Sequence, residues 1–92
     1  MADVIWDRAA LADLNQTIAY IEQFDAEAAD RIGTRLFDLG ESLAQFPHRG
    51  RRVGRTHREM TNVPPYILRY TVKGDLVTIL GIRHGARQPD TD

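Results

Sequence analysis

Two consecutive runs of β-forming residues near the end of the chain constrain the fold more than any other feature. Residues 66–72 and 76–82 are rich in β-branched and aromatic side chains, and the turn-forming segment Lys-Gly-Asp separates them. This pattern predicts a β-hairpin. Arg83, His84 and Arg87 follow the second run, so basic side chains cluster where the hairpin ends. We expect any functional surface to include this end.

The segment before the hairpin has the periodicity of two amphipathic helices. Apolar side chains recur at intervals of three and four residues after Asp7, and again after Asp25, until Pro47 interrupts the pattern. Both aspartates can accept hydrogen bonds from the first amides of a helix. Since few residues separate the two stripes, we expect the helices to form an antiparallel hairpin. The stripes consist of Leu11, Leu14, Ile18 and Ile21, and of Ala29, Ile32, Leu36, Leu39 and Leu43.

The order of the elements predicts an α+β fold. A short apolar run at residues 3–6 supplies a first strand, and residues 57–61 begin another strand before the hairpin. The order is strand, helix, helix, strand, strand, strand. It suits a mainly antiparallel sheet with the N-terminal helical hairpin packed on one face, and the other face is expected to stay open.

The length of the hairpin turn decides which side chains face the helices. A two-residue turn places the more apolar set against the helices and leaves Arg69 on the open face, and we expect this arrangement. A three-residue turn would invert the relation between the strands. In the expected arrangement the covered face carries Tyr66, Leu68, Tyr70, Val72, Val77, Ile79 and Arg83, and the open face carries Ile67, Arg69, Thr71, Thr78, Leu80, Ile82 and His84.

Length and composition limit the functions that are open to the chain. Its 92 residues suit one domain over residues 1–92, with a frayed polar tail at residues 88–92, because two cores would need more chain. The absence of cysteine excludes disulfides, thiolate metal sites and cysteine nucleophiles. Apolar runs are far shorter than the roughly 20 residues of a membrane span, so we expect a cytoplasmic protein without membrane contact. No cofactor or metal is predicted, since no third ligand suggests itself beside His57 and Glu59.

The charge of the chain changes sign along its length. Residues 1–45 contain three arginines and nine acidic residues, a net charge of −6, whereas residues 46–92 contain nine basic and four acidic residues, a net charge of +5. The second half is therefore expected to face an anionic partner. Its most basic stretch, residues 48–58, predicts a flexible loop that either is a solvated connection or contacts an anion.

Several short motifs follow one another along most of the chain. They are Ala10-x-x-Asp13-Leu14, Ile18-x-Tyr20-Ile21, Phe46-Pro47-x-x-Gly50-Arg51, Arg58-Glu59, Tyr66-x-x-x-Tyr70-x-Val72 and His84-Gly85-Ala86-Arg87. Their order and spacing resemble the RelE/ParE superfamily of toxins from type II toxin–antitoxin systems. The resemblance implies a compact sheet covered by two helices, and an antitoxin, partly disordered by itself, that wraps the toxin.

The superfamily has two activities, and the resemblance implies different residues for each. RelE-like members are ribosome-dependent endoribonucleases, which activate a ribose 2′-hydroxyl and stabilise charge on the scissile phosphate. This chain has Ile67 where those enzymes carry an arginine, arginines in place of their loop lysines, and no tyrosine after Arg87. The residues that could carry such catalysis here are Arg69, His84 and Arg87.

ParE-like members inhibit DNA gyrase without covalent chemistry of their own, so the missing nuclease residues do not affect them. We therefore predict a gyrase inhibitor, not itself an enzyme, that a ParD-like antitoxin neutralises. A RelE-like endoribonuclease acting on mRNA in the ribosome is the alternative, and a non-toxic nucleic-acid binder built on residues 48–58 is a third hypothesis. The candidate contacts with a target or an anion are Arg51, Arg52, Arg58, Arg69, Arg83, His84 and Arg87.

Overall fold

The computed structural model of the chain describes residues 1–85. Arg87 and the tail predicted at residues 88–92 lie outside this range. The elements are β1 (Asp3–Trp6), α1 (Arg8–Glu22), α2 (Ala26–Glu41), a short 3₁₀ helix (Ser42–Ala44), β2 (Arg51–Val53), β3 (His57–Val63), β4 (Tyr66–Lys73) and β5 (Leu76–His84).

The strands of the described range form a single five-stranded sheet in the order β1-β5-β4-β3-β2. Neighbouring strands are antiparallel, except that β1 runs parallel to β5. The predicted α+β fold is confirmed, with β2 as an addition. The prediction of a flexible loop over residues 48–58 is wrong at residues 51–53, where Arg51 pairs with Glu59 and Val53 with His57. An arginine-rich run of three residues is too short to show the alternation that marks a strand.

The helices begin where their capping residues predicted. Asp7 Oδ1 accepts a hydrogen bond from the amide of Arg8, and Asp25 Oδ1 accepts one from the amide of Ala28. Leu11, which the apolar stripe placed toward the core, is 43% exposed, and Ala10 is buried instead. The buried core consists of Ala10, Leu14, Leu36, Leu39, Leu43, Met60, Val63, Leu68, Tyr70, Val77, Ile79 and Ile82. Within residues 1–85, no helix is long and apolar enough to cross a membrane.

The hairpin of β4 and β5 has the expected two-residue turn. Lys73 pairs with Leu76, and Gly74 takes a φ of +58°, a backbone conformation that favours glycine. The predicted faces are therefore correct near the turn, where Tyr70 and Ile79 share the covered face and Arg69 lies on the open one.

Further along the hairpin, a β-bulge makes the predicted faces wrong. Arg69 pairs with Gly81 and Tyr70 pairs with Ile79, so Leu80 has no residue opposite it. From that point the alternation of β5 is shifted by one residue. Ile82 pairs with Leu68 in the core, and His84 pairs with Tyr66 on the covered face. Arg83 moves to the open face, opposite Ile67.

Candidate functional site

The open face of the sheet carries a charged cluster around a buried glutamate, which we call the Glu59 cluster: Arg51, Glu59, Arg69 and Arg83. The Glu59 side chain is 5% exposed. Its Oε1 lies 3.3 Å from Nη2 of Arg51, and its Oε2 lies 3.1 Å from Nη2 of Arg83. A buried carboxylate is costly unless it is paired, so these contacts explain how Glu59 remains in the sheet.

Arg69 is an exposed member of the Glu59 cluster and lies near the middle of the sheet. It lies directly between Glu59 on β3 and Gly81 on β5, and its side chain is exposed. Because the cluster contains three guanidinium groups and one carboxylate, the open face has an excess of positive charge at this point. Guanidinium groups bind carboxylates and phosphates through paired hydrogen bonds.

A contact with α1 holds the bulge that brings Arg83 to this face. β1 pairs with residues 76–79 of β5, so within the described residues the edge of β5 that faces away from β4 has no strand beside it beyond Ile79. Asp13 of α1 reaches this edge, where its Oδ2 accepts a hydrogen bond of 2.9 Å from the amide of Ile82. A Cβ atom at Gly81 would lie 2.9 Å from the same oxygen, so a glycine there lets the carboxylate approach.

His84 lies in a cleft between α1 and the ends of β4 and β5, which Arg83 of the Glu59 cluster also lines. The cleft has a volume of about 470 Å³ and is lined from α1 by Asp13, Gln16, Thr17 and Tyr20, and from the strands by Tyr66, Ile82, Arg83 and His84. The imidazole of His84 packs edge-on against Tyr66, with 5.5 Å between the ring centroids. The amide of Gly85 donates to the carbonyl of Pro65, which fixes the end of β5.

Tyr70 and Arg58 hold the segment that connects the helices to β2. The Tyr70 hydroxyl donates to the carbonyl of Pro47 and accepts from the amide of Gly50, each at 2.9 Å. Nη1 of Arg58 donates to the carbonyls of His48 and Gly50, at 3.1 and 2.7 Å. Burial raises the pKa of the Tyr70 phenol, and this effect outweighs the Gly50 hydrogen bond and the nearby charges of Arg58 and Arg49.

The structure divides the predicted contact residues among different surfaces. Arg51, Arg69 and Arg83 meet on the open face around Glu59. Arg52 and Arg58 are opposite one another in the register of β2 and β3. They lie on the other face of the sheet, in the row of residues that contains Tyr70. His84 lies on that covered face as well, and Arg87 lies outside the described residues. The role of each as a target contact stays a prediction.

Sequence reasoning missed the contributions of Asp13 and Glu59. Glu59 appeared in the Arg58-Glu59 motif and as a metal ligand that lacked a third partner. Among residues 1–85 there is no group of three or more His, Asp or Glu side chains that could hold a metal ion. Asp13 belonged to a motif without an assigned role. A glycine inside the predicted strand, Gly81, was the available signal, because such a glycine often marks a bulge.

Comparison with known proteins identifies the family. A family model described as "ParE toxin of type II toxin-antitoxin system, parDE" matches residues 4–89 of the chain. The chain belongs to the ParE toxin family. It is therefore a toxin of the type II toxin–antitoxin class, whose members are paired with an antitoxin. The suspected relation to the RelE/ParE superfamily is confirmed.

Relatives of this ParE-family toxin carry the RelE name as well. The chain is 49% identical over 87 residues to "Toxin RelE2" of Caulobacter vibrioides, a match that covers 95% of the chain and 99% of that toxin. It is 37% identical over 83 residues to "Toxin RelE1" of the same organism, covering 86% and 88% of the two chains. The names of family and relatives thus come from both branches of the superfamily.

A solved structure has the same fold. A chain from the "Chromosomal ParDE TA system from P. aeruginosa" superposes with a TM-score of 0.79 at 24% sequence identity, over 91% of this chain and 96% of the other. At this identity the match supports the arrangement of helices and strands, and not a shared target.

Proposed function

We propose that this ParE-family toxin inhibits DNA gyrase and is neutralised by a ParD-like antitoxin. The observation that carries the proposal is the separation of Arg69 from His84, two of the three residues that could carry ribonuclease catalysis. Arg69 is on the open face of the sheet, whereas His84, the predicted acid or base, is on the covered face beside Tyr66. General acid–base catalysis requires its groups to reach one substrate atom within hydrogen-bond distance.

The Glu59 cluster suits recognition without chemistry. Arg51 is 72% exposed and Arg69 is exposed, while Arg83, at 28%, is partly covered and paired with Glu59. The carboxylate orients the guanidinium groups of Arg51 and Arg83 and lowers the cost of holding several positive charges together. A rigid cationic face of this kind is suited to an anionic surface, such as a gyrase–DNA complex.

An endoribonuclease acting on mRNA in the ribosome is the second candidate, because the same cluster contains a carboxylate among arginines. Glu59 could accept a proton from a ribose 2′-hydroxyl, and Arg69 could stabilise charge on the phosphate. Against this role, Glu59 is buried and accepts hydrogen bonds from Arg51 and Arg83. A substrate would have to displace one of them to reach it.

Assays with purified gyrase test the proposal. The toxin is expected to block supercoiling of relaxed plasmid and to leave linear DNA after protein denaturation, which reports trapped cleavage complexes. Arg69→Ala is expected to weaken this inhibition by about tenfold or more, the effect of losing a charge-assisted contact of roughly 1.5–3 kcal/mol. Arg31→Ala, an exposed arginine on α2, is the matched control and should inhibit like the parent.

Primer extension on translated mRNA is the complementary assay. Gyrase that keeps full activity at a stoichiometric excess of toxin, together with cuts in ribosome-bound mRNA, would replace the proposal with the ribonuclease. In that case Glu59→Gln should abolish cutting while the fold is retained.

The helical layer is the surface that we propose for the antitoxin. Tyr20 and Phe24 are 63% and 74% exposed and form an edge-to-face pair with ring centroids 5.4 Å apart. A groove of about 300 Å³ also runs between α1 and α2. Its apolar lining between the helices consists of Leu14, Ile18, Ala29, Gly33 and Phe37. Exposed apolar surface of this kind is what an amphipathic segment of a partner covers.

A further inference from the structure

A second cationic site lies away from the Glu59 cluster, at the end of the sheet formed by the β2–β3 and β4–β5 turns. It is a cleft of about 220 Å³, which we call the basic cleft. The described residues that line it include no carboxylate. They are His48, Arg52, Arg55, Thr56, His57, Arg58, Val72 and Lys73.

The register of the strands forces these charges together. Arg52 and Arg58 are direct partners across β2 and β3, and Arg58 is in turn opposite Tyr70. Like charges directly opposite one another destabilise a sheet unless something neutralises them. The β2–β3 turn adds Arg55, and β4 ends beside it at Lys73.

The basic cleft differs from the Glu59 cluster in how its charge is compensated. On the open face, the carboxylate of Glu59 pairs with Arg51 and Arg83. In the basic cleft, Arg58 is held by the carbonyls of His48 and Gly50, which orient the guanidinium group but carry no net charge. Neither of the two ion pairs on Glu59 involves a residue of the cleft, and no carboxylate within residues 1–85 lines it, so an anion from solution is the group that would neutralise its arginines.

The shape and lining of the cleft indicate the class of anion. Sites for small organic molecules typically have volumes of about 300–1,000 Å³ and mostly apolar walls. This cleft is smaller, and Val72 is its one aliphatic lining residue in the described range. The exposed side chains of Arg52, Arg55 and Lys73 extend the positive charge beyond the cleft. Arginine matches phosphate geometry through paired hydrogen bonds.

We propose that the basic cleft binds the phosphodiester backbone of a nucleic acid without reading its sequence. The inference goes beyond the proposed function, because it applies whether the toxin acts at gyrase or at the ribosome. Contacts with the backbone neutralise phosphates and release counterions, so the affinity should fall steeply with salt. For three exposed cations on duplex DNA, the slope of log K against log salt should be about −2.7, at roughly −0.9 per phosphate.

Fluorescence anisotropy with a labelled DNA duplex of arbitrary sequence measures this slope. The double variant Arg52→Gln/Arg55→Gln should reduce the magnitude of the slope by about 1.8, since two phosphate contacts are lost. The matched control Arg8→Gln/Arg31→Gln removes the same charge from exposed helix positions and should keep the parental slope. Amide resonances of Gly54 and Lys73 should shift during the titration, and circular dichroism checks that each variant is folded.

Several outcomes would overturn the proposal. If the cleft variant and its control reduce the salt slope equally, DNA binds through net charge alone. If Arg69→Gln reduces the salt slope more than the cleft variant does, DNA binds on the open face. Binding of inorganic phosphate as tightly as DNA would indicate a small-anion site, and equal binding of polyglutamate would indicate an acidic protein as the partner.

Discussion

The hydroxyl group of Tyr70 connects the sheet to the segment between α2 and β2, because it both donates and accepts a hydrogen bond there. Replacing it with phenylalanine keeps the buried ring but leaves the carbonyl of Pro47 and the amide of Gly50 without this partner. We expect Tyr70→Phe to lower the free energy of unfolding by about 1–3 kcal/mol, the cost of leaving buried polar groups unsatisfied. Urea denaturation measures the change.

The same residue predicts a dependence of stability on pH. Burial raises the pKa of the Tyr70 phenol above its ordinary value of 10.0, so the folded state favours the neutral form. The Tyr70 phenol contributes its full share of folding stability while the pH is below the pKa that it has in the unfolded chain. This stability is lost as the pH rises through the pKa that the phenol has in the folded state. Stability should therefore fall above about pH 10.

A control separates this effect from other alkaline effects. Tyr20 is 63% exposed, so Tyr20→Phe should have the parental stability and should lose stability at alkaline pH as the parent does. Tyr70→Phe should show a flatter profile above about pH 10, because the shifted phenol is absent. Equal alkaline slopes for parent and Tyr70→Phe would show that other groups cause the loss.

At the scale of the elements, α2 packs closely on the sheet at Gly40. A Cβ atom at this position would collide with the Trp6 ring and would lie 2.7 Å from Cδ1 of Ile79. Trp6 cannot easily retreat, since it stacks on Phe37 with centroids 5.5 Å apart and its indole nitrogen donates to Glu41. Gly40→Ala should lower the unfolding free energy by about 1–3 kcal/mol, as overpacking does.

The expected sign is informative because helix propensity alone predicts the reverse. Alanine in place of glycine inside a helix is worth about 1 kcal/mol when nothing opposes it. Gly33→Ala is the matched control, since its new methyl group meets the end of the partly buried Ile18 side chain, which can move. It should therefore destabilise less than Gly40→Ala. A stabilised Gly40→Ala variant would contradict the close packing of α2 on β1 and β5.

Elements with a local signal were predictable from the sequence, and features that depend on distant contacts were not. Capping by Asp7 and Asp25, the apolar periodicity and the turn at Gly74 each act within a few residues. The bulge at Leu80 depends on Asp13, whose carboxylate meets the amide of Ile82 from 69 residues away in the chain. The faces predicted for Arg83 and His84, which lie beyond the bulge, were therefore wrong.

The candidate site was predictable in composition but not in arrangement. Seven arginine and histidine positions were named as contacts from the basic half of the chain. The structure sorts those in the described range onto opposite faces of the sheet, according to strand alternation and the bulge. The strand β2 had no detectable pattern, yet its pairing brings Arg51 to Glu59 and Arg52 to Arg58. Pairing partners cannot be deduced from a three-residue run.

At the scale of the whole molecule, charge and apolar surface are separated. Residues 1–45, which include both helices, have three arginines and nine acidic residues, whereas the sheet carries the Glu59 cluster and the basic cleft. The exposed aromatic pair Tyr20 and Phe24 belongs to the helical side. An anionic target and an antitoxin can therefore engage this toxin through different surfaces.

A domain of this size buries a modest part of its unfolded surface, about 60–65%, so a partner should contribute much to its stability. At a free antitoxin concentration of about 100 Kd, mass action adds roughly 2.7 kcal/mol to the unfolding free energy. For a domain of 92 residues, each kcal/mol raises Tm by about 4–8 °C, which gives a rise of roughly 10–20 °C. Thermal denaturation of the toxin with and without its cognate antitoxin measures this rise.

The position of the antitoxin is tested with the variant Phe24→Ser. Because Phe24 is 74% exposed, the substitution should leave the Tm of the isolated toxin nearly unchanged. If the antitoxin covers the aromatic pair, its stabilising effect should shrink at the same concentration, since a higher Kd lowers the mass-action term. Arg8→Ser, at the exposed start of α1, is the control and should respond to the antitoxin like the parent. An equal rise in Tm for parent and Phe24→Ser would place the antitoxin elsewhere on the toxin, and no rise for either would contradict binding itself.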